Sequence, residues 1–254
     1  MDWVESTGST NVDIRAQIAA NPSTPRVLLT DEQTEGKGRR DRSWKMIPAG
    51  GVLMSIYVPW SDAETAHVAN TALGVAVVDA VDALAPAVVP RLKWPNDLLA
   101  GNKTHRGRKL AGMLSEAVMN NGQILGVICG MGLNVSWPTA TDTTNAADAE
   151  ILARAACLQD AAGHEIDRHE LARSILGGFD TELDRFSQLG IRTIHDRYRD
   201  RCSTIGTEVR VERPDGALVG KAIDLDVSGA LLVEADGRLH QVEVGDVVHL
   251  RSNG

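Results

Sequence analysis

A short stretch near the N-terminus concentrates positive charge and glycine. Between Gly36 and Lys45 there are five lysines and arginines and one aspartate, Asp41. The glycines Gly36 and Gly38 let the backbone approach a ligand closely, and arginine side chains suit phosphate or carboxylate oxygens. The stretch lacks the Gly-x4-Gly-Lys-Ser/Thr pattern of a Walker A loop. It predicts an anion-binding loop, and a solvated basic loop is the plain alternative.

Two lysine-containing motifs place charge next to predicted strands. The first is Lys93-Trp94-Pro95-Asn96-Asp97, and the second is Lys109-Leu110-Ala111-Gly112. Pro95 ends the preceding strand, so the Asn96 amide and the Asp97 carboxylate lie just beyond the strand end, where ligands are often bound. Lys109 opens the next strand, where its ammonium group can neutralise a reacting carboxylate and phosphate. A single lysine at a strand end is more often a solvated surface residue.

Two further segments have plain structural interpretations beside the functional one. Gly130-Met131-Gly132-Leu133-Asn134 ends a predicted strand, but the third glycine and βαβ setting of a dinucleotide-binding fingerprint are missing. Ser9-Thr10-Asn11 precedes a helix-like run and is typical of a helix N-cap. No motif is decisive alone, and their order and spacing together carry the interpretation.

The elements around these motifs alternate between helical and extended patterns. Apolar residues recur at helical spacing over residues 61–84, which predicts a core-facing helix, and a second helical region is predicted over 167–201. Strands are predicted at 26–30, 51–58, 88–93, 113–119 and 123–129. The sequence Asn120-Asn121-Gly122 suits a tight hairpin turn between the last two. The fold class is therefore α+β, with a central mixed β-sheet and flanking helices.

The pattern changes near Cys202. From Gly206 onward there are only short alternating runs separated by turn signals such as Pro214-Asp215-Gly216, which is typical of a small antiparallel β-barrel. We therefore expect two domains, residues 1–203 and residues 206–254.

Composition limits the class of protein. With 254 residues and 43% hydrophobic residues, the chain can fill a sizeable core without disulfides or a structural metal. Its net charge of −8 gives no general electrostatic case for nucleic acid or acidic membranes. The three cysteines form no C-x-x-C pair, which argues against a zinc site. The N-terminus does not resemble a signal peptide, and apolar segments are expected to end before a membrane span is reached. A cytoplasmic protein is expected.

Taken in order, the motifs resemble those of the biotin–protein ligases from one end of the chain to the other. Ser9-Thr10-Asn11 is similar to the family's biotin-contacting turn, and Gln33 with the loop from Gly36 to Arg42 is similar to the loop that orders over biotinyl-adenylate. Trp44 matches the aromatic residue near the adenine. The motifs at Lys93–Asp97 and Lys109–Gly112 resemble the two most specific family signatures, and the C-terminal unit resembles the family's SH3-like domain.

The resemblance implies a fold, an activity and a set of site residues. The fold is that of class II aminoacyl-tRNA synthetases and biotin synthetases, with an SH3-like C-terminal barrel. The activity is ATP-dependent formation of biotinyl-5′-AMP and transfer of biotin to a lysine of a biotin carboxyl carrier domain of an acyl-CoA carboxylase, with Mg²⁺ on the triphosphate and no dedicated metal ligands. The implied catalytic residues are Lys109, Arg39 and Arg40. The implied biotin- and ATP-binding residues are Ser9, Thr10, Asn11, Gln33, Gly36, Lys37, Gly38, Arg39, Trp44, Lys93, Asn96, Asp97, Lys109, Gly112, Gly132 and Asn134.

The chain departs from the family pattern at several positions. The family loop usually reads Gly-Arg-Gly-Arg-Arg-Gly-Arg, whereas Lys37 and Asp41 stand at its second and sixth positions. Lys37 keeps the charge without the bidentate geometry of arginine. The connection over residues 98–108 is longer than usual and is interpreted as a surface loop. Only eight residues precede Ser9, so the N-terminal DNA-binding module of the repressor members is not expected.

Three alternatives stay open. The first is a lipoate or octanoate ligase or transferase, although the polar residues Ser9, Thr10 and Gln33 suit a ureido ring better than an apolar chain. The second is a ligand-sensing transcription regulator, which the net charge of −8 and the missing recognition helix oppose. The third is an RNA- or peptide-binding C-terminal domain, and its many acidic residues disfavour RNA. No nucleic acid or membrane partner is expected, and the oligomeric state is expected to be monomer or weak homodimer.

Overall fold

The computed structural model describes residues 1–40, 42–137, 154–213, 216–243 and 245–250. Seven strands form the first sheet: β1 (Asp2–Thr7), β2 (Arg26–Gln33), β3 (Gly51–Pro59), β4 (Arg91–Lys93), β5 (Asp97–Leu99), β6 (Lys109–Asn120) and β7 (Gln123–Asn134). Their order is β1-β2-β3-β7-β6-β5-β4. Strands β1 and β2 pair in parallel and the other neighbours are antiparallel, which confirms the predicted mixed sheet.

Five α-helices are described with this sheet: α1 (Thr10–Ile18), α2 (His67–Leu84), α3 (Leu158–Ala162), α4 (Arg168–Leu189) and α5 (Ile191–Arg201). The second predicted helical region is two helices, because Gly190 adopts a φ of 80° between them. Helix α4 begins where predicted, since the Asp167 carboxylate accepts hydrogen bonds from the backbone N–H groups of His169 and Glu170.

Helix α2 forms the centre of the core beneath the sheet. Its buried residues include Leu73, Ala76 and Val77, as the helical spacing predicted, although the helix begins at His67 rather than at residue 61. Gly178 of α4 faces Ala76, where a Cβ atom would lie 3.3 Å from the alanine methyl group, so the two helices approach closely. Within the described residues α2 is long and apolar enough to cross a membrane. The expectation that no segment reaches that length was therefore wrong, and here the apolar surface of α2 is buried in the protein core.

Strands β6 and β7 form a long hairpin that extends beyond the predicted limits. Asn121 and Gly122 adopt positive φ angles of 48° and 80°, which confirms the predicted tight turn. Each strand has 12 residues, so Lys109–Gly112 and Gly130–Asn134 belong to the strands themselves. Lys109 opens β6 and Asn134 ends β7, as expected, but the strands are longer than the predicted limits of 113–119 and 123–129.

The C-terminal residues form a five-stranded antiparallel sheet. Its strands are β8 (Glu208–Arg213), β9 (Gly216–Leu225), β10 (Leu231–Ala235), β11 (Arg238–Val242) and β12 (Asp246–His249), in the order β11-β10-β9-β8-β12. The antiparallel unit was predicted correctly, but among the described residues β11 and β12 do not pair, so the sheet is not closed into a barrel. The sheet packs on the first through the Trp94 indole, which donates to the Gly229 carbonyl oxygen at 3.0 Å.

Burial of α2 gives a direct prediction of stability. Leu73 is fully buried in the core, so Leu73→Ala removes apolar contacts and leaves a cavity, and it is expected to lower the free energy of unfolding by about 2–5 kcal/mol. Denaturant unfolding measures this change. Leu189→Ala is the matched control, because Leu189 is 63% exposed and is expected to change stability by about 0.5 kcal/mol or less. Equal losses in the two variants would contradict the described core.

Candidate functional site

The predicted motifs meet at one cavity of about 500 Å³, called here the main cavity. It lies between the β6–β7 hairpin, the loop over residues 36–45 and the C-terminal sheet. Of the predicted site residues, those lining it are Ser9, Thr10, Asn11, Gln33, Lys37, Gly38, Arg39, Trp44, Lys93, Asn96, Asp97, Lys109, Gly112 and Gly132. Segments up to about 120 residues apart in sequence thus contribute to one site, as the order of motifs implied.

Glycines in β6 and β7 make room for Trp44. Gly112 and Gly132 are partners across the hairpin, and the Trp44 ring lies directly on them. A Cβ atom at Gly112 would come 2.9 Å from the ring, and one at Gly132 would overlap it. The Lys109 ammonium nitrogen is 5.3 Å from the ring centroid, within cation–π range. The indole is thereby fixed beside the lysine at the base of the cavity.

Asp97 lies between two lysines. Its carboxylate is 2.6 Å from the Lys109 ammonium nitrogen, and Lys93 is its partner across the β4–β5 hairpin. Burial lowers the pKa of Lys93, the nearby Asp97 charge opposes that shift, and the Lys109 charge adds to it. Asp97 follows the short connection after β4, as predicted, and also opens β5. Its negative charge favours the presence of both lysine cations at the cavity.

Arg39 points into the cavity from the basic loop. Its guanidinium donates to the Asn96 side-chain oxygen at 3.2 Å and to the Gly245 carbonyl oxygen at 3.3 Å. Burial is the main cause that lowers the pKa of Arg39, and the Asp246 charge opposes it. An arginine desolvated in this way is a strong site for an oxyanion, because water competes less for its N–H groups.

The C-terminal sheet holds the basic loop. Asp246 lies 3.3 Å from an Arg40 guanidinium nitrogen and also forms an ion pair with Arg42. The Arg40 side chain further donates to the Glu212 carbonyl oxygen at 2.9 Å. Arg40 thus faces the C-terminal sheet and does not line the cavity, unlike Arg39. The predicted effect of Asp41 falls outside the described residues.

The opposite end of the cavity is a cluster of buried polar side chains. Ser9, Thr10 and Asn11 are each at most 5% exposed, and Ser55 of β3 is fully buried. Ser9 occupies the N-cap position of α1, as the plain interpretation held, but its side chain makes no capping hydrogen bond. The Gln33 side-chain oxygen instead accepts from the Thr10 backbone N–H at 2.9 Å. The hydroxyls at the start of α1 are therefore directed to the cavity and to Ser55.

Two further predicted residues support the cavity without lining it. The Gly36 carbonyl oxygen accepts from the Trp44 backbone N–H at 2.8 Å, and a Cβ atom at Gly36 would overlap the Trp44 backbone. Asn134 is 6% exposed and donates to the Ala156 carbonyl oxygen at 3.2 Å. These contacts position the loop and the end of β7.

The sequence analysis missed several residues at or near the site, among them Ser55, Asp246 and Arg154. Ser55 is a single polar residue in the buried run of β3, a signal that would have identified it. Asp246 and Arg154 contribute to the cavity lining, but no local pattern distinguishes them from other charged residues. The place of Asp246 and Arg154 at the cavity depends on contacts between residues far apart in the sequence.

Comparison with known proteins assigns the family. Residues 3–134 match the biotin/lipoate A/B protein ligase family, and residues 204–250 match the biotin protein ligase C-terminal domain. The chain is 35% identical to the biotin–[acetyl-CoA-carboxylase] ligase of Mycobacterium tuberculosis over 99% of this chain and 89% of that protein. It is 29% identical to the bifunctional ligase/repressor BirA of Bacillus subtilis over 91% of this chain and 69% of that protein.

The fold agrees with this assignment. The biotin protein ligase from Aquifex aeolicus in complex with biotin and ATP superposes with a TM-score of 0.76 at 24% identity, covering 98% of each chain. The chain belongs to the biotin/lipoate A/B protein ligase family. Within it, the C-terminal match and the relative at 35% identity place it among the biotin protein ligases.

The ion pairs of Asp246 predict how the basic loop is held. Asp246→Asn removes the charge shared by Arg40 and Arg42 and is expected to speed amide hydrogen exchange in residues 37–44 by about fivefold, since such pairs contribute about 1 kcal/mol. Exchange mass spectrometry measures this. Asp236→Asn, at the exposed turn between β10 and β11, is the control and is expected to change nothing. Unchanged exchange in both variants would show that the carboxylate does not hold the loop.

Proposed function

We propose that the chain uses ATP to convert biotin to biotinyl-5′-AMP and then transfers biotin to a lysine of a biotin carboxyl carrier domain. The observation that carries this proposal is the arrangement of the main cavity, with a buried polar cluster at one end and Lys109, Lys93 and Arg39 at the other. Biotin has a polar ureido ring at one end and a carboxylate at the other, and this polarity matches the cavity.

In the first half-reaction a biotin carboxylate oxygen attacks the α-phosphorus of ATP, the bond to the bridging oxygen breaks, and pyrophosphate leaves with biotinyl-5′-AMP formed. In the second, the amine of an acceptor lysine attacks the mixed anhydride, and AMP leaves as an amide bond forms. The protein positions the reactants and neutralises charge in both steps.

The residues take roles that follow from their positions. Ser9, Thr10, Asn11 and Gln33 bind the ureido end. Lys109 lies beside the reacting carboxylate and α-phosphate. Arg39 and Lys37 line the cavity and neutralise phosphate charge, while Arg40 holds the basic loop on the C-terminal sheet. The nucleotide side is formed by Trp44, Lys93, Asn96, Asp97, Gly112, Gly132 and Asn134, with the loop backbone at Gly36 and Gly38.

Mg²⁺ is proposed as a companion of the triphosphate rather than as a resident of the protein. Within the described residues no group of three or more histidine, cysteine, aspartate or glutamate side chains is placed to hold a metal ion. Mg²⁺ bound mainly by phosphate oxygens and water needs few protein ligands, and it would supply neutralisation of the leaving pyrophosphate.

We also propose that residues 1–203 form the catalytic domain and residues 206–254 a C-terminal domain. The supporting observation is that the second sheet begins at Glu208 and provides the acceptors for the basic loop. In this arrangement the C-terminal domain contributes to loop closure, which would shield the reactive anhydride from water.

A lipoate or octanoate ligase is the nearest alternative. Its substrate would place an alkyl chain against the polar side chains of Ser9, Thr10 and Asn11, which line the cavity, and this costs free energy where their polar atoms lose a hydrogen-bond partner. The contacts of these groups therefore favour biotin.

The proposal is tested by incubating the purified chain with ATP, Mg²⁺ and biotin, with lipoate and octanoate as parallel acids. Mass spectrometry is expected to detect biotinyl-5′-AMP from biotin alone. Adenylate from lipoate or octanoate would favour the alternative. No adenylate from any acid would overturn the proposed reaction.

Lys109 provides the sharpest prediction for the chemical step. Lys109→Ala removes the ammonium group beside Asp97 and is expected to slow adenylate formation by at least about 100-fold, because a positioned charge stabilises the transition state. Pyrophosphate release measures the rate, and circular dichroism checks the fold. Lys103→Ala, at an exposed residue of the neighbouring loop, is the control and is expected to keep the wild-type rate. Wild-type release from Lys109→Ala would refute the role given to Lys109.

A further inference from the structure

A chain of hydrogen-bonding side chains leads from the main cavity to Glu116, a residue given no role above. Glu116 of β6 lines a second cavity of about 310 Å³ and does not line the main cavity. The Glu116 carboxylate accepts from the Asn11 side-chain nitrogen at 2.9 Å. Its other neighbour is Arg15, 3.8 Å away, and both side chains are partly exposed. The chain continues inward through Ser55 and Thr10 to Gln33.

The carboxylate fixes the orientation of the Asn11 amide. An ionised carboxylate only accepts hydrogen bonds, so Asn11 must turn its NH₂ group toward Glu116. The Leu114 carbonyl oxygen, 3.4 Å from the same nitrogen, imposes the same orientation more weakly. The Asn11 side-chain oxygen then faces the Ser55 hydroxyl at 2.6 Å. It packs directly on Gly130, where a Cβ atom would overlap it.

With Asn11 oriented in this way, the hydroxyl chain is one hydrogen short. Three oxygen–oxygen contacts follow in sequence: Ser55 to Asn11 at 2.6 Å, Ser55 to Thr10 at 2.7 Å, and Thr10 to the Gln33 side-chain oxygen at 3.0 Å. The two hydroxyls supply only two hydrogens. Ser55 must donate to Asn11, so the single Thr10 hydrogen can fill only one of the two remaining contacts, the one to Ser55 or the one to the Gln33 oxygen. The other contact has no hydrogen, and an oxygen of Thr10 or Gln33 keeps a lone pair free to accept from a ligand.

The reversed Asn11 amide would give the opposite polarity. Its NH₂ group would donate to Ser55, Ser55 to Thr10, and Thr10 to Gln33, so that every contact would be filled. The oxygens at the cavity would then have less capacity to accept a hydrogen bond from a ligand. The charge on Glu116 favours the first arrangement, because its carboxylate accepts from the Asn11 amide nitrogen at 2.9 Å and opposes the reversal more strongly than the Leu114 carbonyl oxygen at 3.4 Å.

We infer that Glu116 is a positioning residue that keeps Thr10 and Gln33 as hydrogen-bond acceptors, so that this end of the cavity selects ligands presenting N–H donors. Both residues line the main cavity. A ureido N–H completes the chain by donating the missing hydrogen, whereas an alkyl chain or dithiolane ring does not. The inference rests on the proposed function, and it assigns part of the substrate selectivity to a residue outside the main cavity.

The experiment measures biotin binding without ATP by isothermal titration calorimetry, for the wild type, Glu116→Gln and Glu116→Ala. Glutamine has the shape of glutamate but can donate to the Asn11 oxygen and so permits the reversed amide. Both variants are expected to raise the Kd for biotin by about fivefold or more, the effect of one hydrogen bond. The KM for ATP and the thermal unfolding temperature are expected to stay at their wild-type values.

A second measurement separates an effect of Glu116 on hydrogen-bond polarity from an effect on side-chain packing. Biotin methylated on its ureido nitrogens cannot donate, so the wild type is expected to prefer biotin strongly over this analogue, and the preference is expected to shrink in both variants. The double variant Ser55→Ala, Glu116→Ala is expected to lose less binding free energy than the sum of the losses in the two single variants. Both residues act through the same series of hydrogen bonds, so their effects are not additive. Arg15→Ala is the control: it removes the other neighbour of Glu116 without affecting Asn11, and it is expected to leave biotin binding unchanged.

The outcomes distinguish the inference from the proposed function. A wild-type chain that does not bind biotin would overturn both. If the wild type binds biotin and the Kd of both Glu116 variants stays within about twofold of the wild-type Kd, the inference alone is overturned. A twofold change in Kd corresponds to less than about 0.5 kcal/mol of binding free energy, at about 1.4 kcal/mol per tenfold change. Equal weakening of biotin and ATP, or a lowered unfolding temperature, would indicate a merely structural role and would also overturn it.

Discussion

The pairing of β6 with β7 is the constraint on which the cavity depends. Their register places Gly112 opposite Gly132 and Leu114 opposite Gly130. The first pair leaves space for the Trp44 ring, and Gly130 leaves space for the Asn11 side chain. A shift of one residue would turn methionine side chains at 113 and 131 toward Trp44, because neighbouring residues of a strand face opposite sides of the sheet. The turn at Asn121 and Gly122 therefore influences both ends of the site.

A second constraint comes from the charge of the basic loop. Lysines and arginines so close in sequence repel one another, and the loop needs acceptors to remain in one place. Asp246 and the carbonyl groups of Glu212 and Gly245 supply them. All three belong to the C-terminal sheet or its connections, so the basic loop and the second sheet depend on each other. The packing of Trp94 on Gly229 fixes their relative position from the other side.

Local patterns predicted most elements, and the errors have physical causes. The helical spacing of α2 and the turn between β6 and β7 are short-range signals, and both were found. The ends of those strands were missed because Gly112, Gly130 and Gly132 disfavour strands by propensity, although packing against Trp44 and Asn11 requires them there. Closure of the C-terminal barrel was predicted wrongly, since pairing of the two edge strands, β11 and β12, depends on three-dimensional curvature that no local pattern reveals.

The same limit applied to the site. Ordered motifs located Lys109, Trp44 and Gln33, because each lies in a compact group of unusual residues. Asp246 lies about 200 residues from the loop it holds, and neither its type nor its neighbours indicate a partner. Arg40 was assigned to the catalytic group, but its contacts direct it to Glu212 and Asp246. A charge pattern shows which residues can bind an anion, whereas packing decides which of them face it.

Two carboxylates lie near the cations at and beside the main cavity, and each has two effects on the binding of an anionic ligand. Asp97 lies next to Lys109, and Asp246 pairs with Arg40 and Arg42. Each carboxylate lowers the cost of gathering cations in the free protein, and each also competes with phosphate for them. A protein without these carboxylates would attract phosphate more strongly but would hold its cations less well in position before binding. Electrostatic catalysis requires charges that are already in place where new charge develops. Partial neutralisation of the cations by these carboxylates therefore lowers the affinity for phosphate but keeps the geometry around Lys109 fixed.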